Sequence, residues 1–176
     1  MDVAIALGLY LSERNEGIFH NKFVTFSDRP TFHEVQGSLY ERYTRALRSP
    51  WGMSTNLEAV FELLLKAAVD HKLPESEMPT KILILSDMQF NCVRGGTNET
   101  LYQNIEKRYA DAGYKRPQII FWNINSSGSN VPVTATTGGT GLVSGFSPSV
   151  LKGVLSGELD PINMMLSIVG NERYDL

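Results

Sequence analysis

The stretch KILILSDMQFN, Lys81 to Asn91, decides how this chain folds. Ile82 to Leu85 are consecutive apolar residues, led in by Lys81. A strand with one wet face alternates apolar and polar residues; an unbroken run has no face to offer water and reads as a strand buried on both sides. The run stops at Ser86 and Asp87, with no basic or histidine residue beside the acid. QIIFWNI (118–124) is a second run of this kind, and GLVSGF (141–146) a shorter one. Strands buried on both faces are the mark of a parallel sheet covered by helices.

Helical patterns stand where such a sheet needs its crossovers. NLEAVFELLLKAAVDH places Leu57, Val60, Phe61, Leu64, Leu65, Ala68 and Val69 at i, i+3, i+4, i+7 spacing. TLYQNIEKRYADAG turns Leu101, Ile105, Tyr109 and Ala112 to one side, and Gly113 is placed to cap its end. SPSVLKGVL and DPINMMLSIVGN both open with a helix start, Ser147-Pro148 and Asp160-Pro161. In the second of these Ile162, Met165, Leu166 and Val169 share a face. Upstream, residues 2–13 read as a helix buried on most sides, and SLYERYTRAL as a helix with Leu39, Tyr40, Tyr43 and Leu47 on one face. NKFVTFS (21–27) and TFHEVQG (31–37) read as a hairpin turned at Asp28-Arg29-Pro30. The expected fold is α/β: a single domain over residues 1–176, a Rossmann-like three-layer sandwich with a mostly parallel sheet and helices on both faces.

Bulk properties narrow the function. The chain has 176 residues and a formal net charge of −3, which argues against a nucleic-acid footprint. Its one cysteine, Cys92, permits no internal disulfide and no cysteine-rich zinc site. MDVAIALGLYL has an acid at Asp2, lacks a basic lead-in and is too short to span a bilayer, so it reads as neither a signal peptide nor a membrane helix. The expected setting is cytoplasmic.

In a parallel α/β sheet, ligands sit beyond the carboxyl ends of the strands. Asp87 holds that place on its strand, Asn123 on the next, and Ser27 with Asp28 on an earlier one. The loop PWGMSTN, with Ser54 and Thr55, leads into the long helix at the same edge. This is a set of hard oxygen donors with no soft ligand, suited to Mg²⁺ or Mn²⁺.

MSTNLEAVF followed by ILILSDMQF resembles the second and third motifs of a von Willebrand factor A (vWA) domain. The tail IIFWNINSS…GLVSGFSPSVLKGVL is similar to the A-type domain of Ro-like proteins, and to related uncharacterised microbial and viral proteins. The resemblance covers essentially the whole chain. It implies that Thr55 and Asp87 belong to a metal-ion-dependent adhesion site, with Ser54 a weaker member. It also implies a protein-binding module, not an enzyme, whose metal is completed by an acidic residue of a partner. The family's first motif, Asp-x-Ser-x-Ser on a central strand, has no counterpart after Met1. Met1 is then either an internal methionine of a longer protein or the start of a shortened form, with a strand supplied from elsewhere, as in a homo-oligomer or strand-swapped dimer. With so few ligands, Mg²⁺ affinity is expected in the millimolar range or weaker.

Blander readings stand beside these. Thr55-Asn56-Leu57-Glu58 is also a capping box. An acid at a strand end commonly accepts backbone hydrogen bonds in the next turn. GGTGLVSG has a GxG but not the dinucleotide fingerprint. His20, His33 and His71 show no ligand spacing, and Lys107-Arg108 with Lys115-Arg116 reads as a solvated helix end. The competing functions are a structural domain without metal, and a metal-assisted hydrolase using Asp87, for which Asp28 is the one second carboxylate in view.

Overall fold

The two apolar runs pair side by side. In the computed structural model, β3 (Lys81–Ser86) and β4 (Gln118–Asn123) are parallel and in register, Ile82 against Ile119 through Ser86 against Asn123. β4 continues into a parallel pairing with β5 (Thr140–Ser144), giving the order β3-β4-β5. The structure describes residues 2–27, 29–51, 56–86, 98–124, 140–145, 148–156 and 160–170. The chain divides into two units: residues 1–80 with 90–117, and residues 81–89 with 118–176.

The second unit holds the parallel sheet. The chain is thus an α/β protein, as the alternation of apolar runs and helical patterns predicts. Ile119, Ile120, Phe121 and Trp122 are at most 1% exposed, so β4 is buried on both faces. The same expectation fails for β3. Only Ile84 there is buried, and Ile82, Leu83 and Leu85 are half-buried. The reason is position. Among the described residues β4 has a strand on each side, whereas β3 is an edge strand shielded by one. Trp122 donates its indole N–H to the Gly145 carbonyl at 2.7 Å, so this large ring is buried without an orphaned donor. Helix α5 (Pro148–Ser156) touches β5 and α6 (Pro161–Val169). Asp160 starts α6 as expected, its Oδ1 accepting from the N–H groups of Ile162 and Asn163 at 2.8 and 3.0 Å. The shared apolar face of α6 is not buried: Ile162, Met165, Leu166 and Val169 are all exposed.

The first unit begins with α1 (Asp2–Ser12), then the antiparallel hairpin of β1 (Lys22–Val24) and β2 (Phe32–Glu34), then α2 (Leu39–Leu47). The expected hairpin is present, with strands shorter than the sequence suggests; Asp28 of its turn lies outside the described residues. Among the described residues β1 pairs with β2 and not with β3. Ile5, Leu9, Val35 and Ala46 form a core, with Phe23 and Tyr43 packed against it. α1 buries one side only, through Ile5, Leu9 and Ser12, while Val3 and Tyr10 stay exposed. α2 is rotated from its expected setting. Of its expected face Tyr43 packs against the core, beside Ala46, while Leu39, Tyr40 and Leu47 stay in solvent.

α3 (Leu57–His71) and α4 (Asn98–Asp111) pack as a pair in the same unit. Val60, Phe61, Leu64 and Ala68 are buried from α3, and Tyr102, Ile105 and Tyr109 from α4. Val69 of α3 and Ala112, just past α4, are exposed despite their apolar spacing. Phe61 and Tyr109 meet edge to face at 6.1 Å, and the Tyr109 hydroxyl donates to the Phe61 carbonyl at 2.9 Å. Burial pushes that phenol well above its usual range. Gly113 ends α4 as expected: its φ of +82° is open to glycine, and Tyr114 N–H reaches back to the Tyr109 carbonyl at 2.9 Å. Arg108 is not a solvated end charge. It pairs with Glu62 and, at 3.1 Å, with Glu58.

Candidate functional site

The carboxyl end of the parallel sheet carries a polar row. Ser86, Asn123 and Ser144 are register partners across β3, β4 and β5. Side chains directly opposite in paired strands project from the same face, so the row presents a hydroxyl, an amide and a hydroxyl side by side. It closes three strands that are otherwise apolar, apart from their first residues and Gly141. The chain leaves the sheet in order here. Ile124 N–H donates to the Ser86 carbonyl at 3.0 Å, and Gly145 N–H to the Asn123 carbonyl at 3.4 Å. Asp87 follows Ser86 in sequence; Asp87 itself lies outside the described residues.

Ser54 and Thr55, the other expected metal contacts, also lie outside the described residues, as does Asp28. The residues on either side of Ser54 and Thr55 are described. On one side Pro50 meets Thr25, which lies just past β1 and is 2% exposed. Its Oγ1 donates to the Pro50 carbonyl at 2.9 Å. A hydroxyl has one proton, so with Oγ1–H committed to Pro50, the contact with His33 Nε2 at 3.0 Å is donated by the ring. His33 therefore carries its proton on Nε2. Its imidazole stacks on Phe23 at 5.4 Å, and burial holds its pKa below the ordinary value.

On the other side Asn56, not Thr55, caps α3. Its side chain accepts from the Ala59 N–H at 3.1 Å. The cap must reach the N–H two or three residues on, and Asn56 meets that geometry, one residue later than the cap expected from Thr55-Asn56-Leu57-Glu58. Glu58 faces Arg108.

The described donors are hydroxyl and amide oxygens, hard ligands that match Mg²⁺ or Mn²⁺ in kind. They carry no charge, so they do not by themselves repay dehydration of a divalent ion; a carboxylate must be added, and Asp87 is next in sequence. Among the described residues no three His, Cys, Asp or Glu side chains gather into a metal-holding group. Sequence reasoning named Asn123 but missed Ser144 and the Thr25–His33–Pro50 chain. Ser144 ends its strand one turn of the pleat before the apolar run reads as finished at Phe146, and only register shows it beside Asn123. Nothing in the spacing of Thr25, His33 and Pro50 marks them as a group.

Fold and edge together define an α/β protein with a polar row at the carboxyl ends of a parallel sheet. The chain belongs to the family described as domain of unknown function DUF7788, whose family model matches residues 1–169. It is similar to "Uncharacterized protein L728" of Acanthamoeba polyphaga mimivirus, at 34% identity over 172 residues. That match covers 96% of this chain and 30% of the viral protein, so the chain spans under a third of that relative's length. No solved structure matches it. No helix among the described residues is long and apolar enough to cross a membrane.

Proposed function

We propose that this chain is a binding module of the vWA type, cytoplasmic, with an incomplete metal-ion-dependent adhesion site at the carboxyl edge of its parallel sheet. The observation that carries the reading is the in-register row Ser86–Asn123–Ser144, with Asp87 next in sequence to Ser86. In this reading Thr55 and Asp87, with Ser54 a weaker contributor, touch Mg²⁺ or Mn²⁺. A carboxylate from a protein partner completes the ion's coordination. On either side of Ser54 and Thr55, Pro50 accepts from Thr25 and Asn56 caps α3. Hydroxyl and amide side chains coordinate and orient but do not titrate near neutral pH, so the row suits binding rather than general acid–base catalysis.

Paramagnetic Mn²⁺ tests this. Nuclear magnetic resonance of the chain should show broadening centred on the amides of Ser86 and Asn123 as Mn²⁺ rises toward the millimolar range, and Asp87→Asn should remove it. Broadening scattered over surface carboxylates and unchanged in Asp87→Asn would sink the metal reading. Micromolar affinity abolished by Asp87→Ala would instead show a complete site.

A further inference from the structure

A separate surface lies on the first unit, along the outer side of α2 and the residues that follow it. Tyr40, Leu47 and Trp51 are 78%, 46% and 41% exposed. Trp51 is held there by its indole N–H, which donates to the Leu47 carbonyl at 3.3 Å. Tyr40, Thr44, Arg45, Arg48 and Ser49 line an open groove along the helix, with Glu41 at its start.

The charges in this groove are unequal in availability. Glu41 is spent in a capping box: its Oε2 accepts from the backbone N–H and the hydroxyl of Ser38, both at 2.8 Å. Those bonds, with a weaker pull from Arg45, hold its carboxyl below the usual range. Arg42, on the inner side, pairs with Glu13. Arg45 and Arg48 are exposed, and neither forms an ion pair among the described residues. Two guanidinium groups without an ion pair therefore share the groove with the exposed Tyr40 ring, and Leu47 and Trp51 are exposed near it in sequence. Tyr, Trp and Arg are the residues that dominate the energetics of protein interfaces.

We infer that this face of α2 docks an acidic segment of a partner protein that also carries an aromatic or aliphatic side chain. Charge complementarity selects the acid: the arginines offer planar, bidentate donors to carboxylates. The apolar side chains select a segment rather than a small anion, which would leave them uncovered. A nucleic acid fits less well. Phosphate-backbone binding draws on many cations, whereas this groove offers two in a chain of net charge −3. The inference does not depend on the metal reading and uses none of its residues.

The probe is a fluorescein-labelled random copolymer of glutamate and tyrosine, followed by anisotropy in metal-free buffer, beside polyglutamate and oligouridylate of matched length. The wild-type chain should bind the copolymer more tightly than polyglutamate. Arg45→Glu with Arg48→Glu should weaken it by about tenfold or more. Tyr40→Ala with Leu47→Ala should weaken the copolymer several-fold and leave polyglutamate unchanged. These side chains are exposed, so the variants should keep the wild-type Tm. No binding by the wild type, or binding unmoved by the charge reversal, overturns the proposal. Oligouridylate bound more tightly than the copolymer through the same arginines assigns the surface to nucleic acid instead.

Discussion

β3 and β4 have nearly the same sequence character and lie side by side in register, yet the protein treats them differently. KILILS and QIIFWN each carry four apolar residues in a row. In β4 those four are sealed from water; in β3 only Ile84 is, at 4% exposed. An apolar run states that a strand can be buried on both faces. Whether it is buried depends on how many neighbours it is given. An edge strand has an unpaired backbone row and loses the shelter of a second strand.

The comparison can be broken most sharply with a charge. Leu83 and Ile120 are register partners and so share a face of the sheet. Ile120→Lys buries an unpaired ammonium and should cost about 4 kcal/mol or more, preventing stable folding in denaturant titrations. Leu83→Lys should cost only about 1 kcal/mol, since its stem can lie along the edge with the charge in water. Equal losses would mean that β3 is as deeply enclosed as β4.

Truncation gives the next largest contrast. Trp122→Ala removes a buried ring and the donor to Gly145, for an expected loss of about 3–5 kcal/mol. Its register partner gives Leu85→Ala, expected at about 1–2 kcal/mol, because a half-buried side chain has less area to lose. Urea unfolding midpoints measure both.

Helix ends repeat the lesson on a smaller scale. Asn56→Ala should destabilise by about 1 kcal/mol, and Thr55→Ala by no more than about 0.5 kcal/mol. The reverse order, read from thermal melts, would restore Thr55 as the cap.

The smallest effect belongs to the two-stranded sheet. The folded state lowers the pKa of His33 from its ordinary 6.5 because the ring is partly buried. As pH falls below that value the unfolded chain takes up the proton first. Stability should therefore decline as pH drops from about 6.5 toward the folded-state pKa and flatten below it. His33→Gln should lose this slope. A slope of opposite sign in the wild type would mean that the charged ring is favoured by a partner.

Much of the fold was legible because it rests on local chemistry. The two apolar runs, the i, i+4 stripes of α3 and α4, the glycine after α4 and the Asp160 start of α6 each follow from a few neighbouring residues. The candidate site was legible in part. Asn123 was placed at a strand end by counting, whereas Ser144 came beside it only through register. The Thr25–His33–Pro50 chain joins residues 25 apart and has no sequence signature. Ser54, Thr55 and Asp87 lie outside the described residues, and their role rests on the proposal above.

By itself, the sequence determined that this is an α/β chain whose central strands run parallel, since unbroken apolar strands separated by amphipathic helices have few other ways to leave water. Tertiary structure alone decided that β4 and not β3 is enclosed, that α2 turns Ala46 inward and Tyr40 outward, that Asn56 caps α3, and that Arg108 meets Glu58 and Glu62. The physical reason is common to all four. Periodicity and propensity set what a segment can bury or bond, but the free energy is realised only against particular neighbours, and those neighbours come from distant parts of the chain.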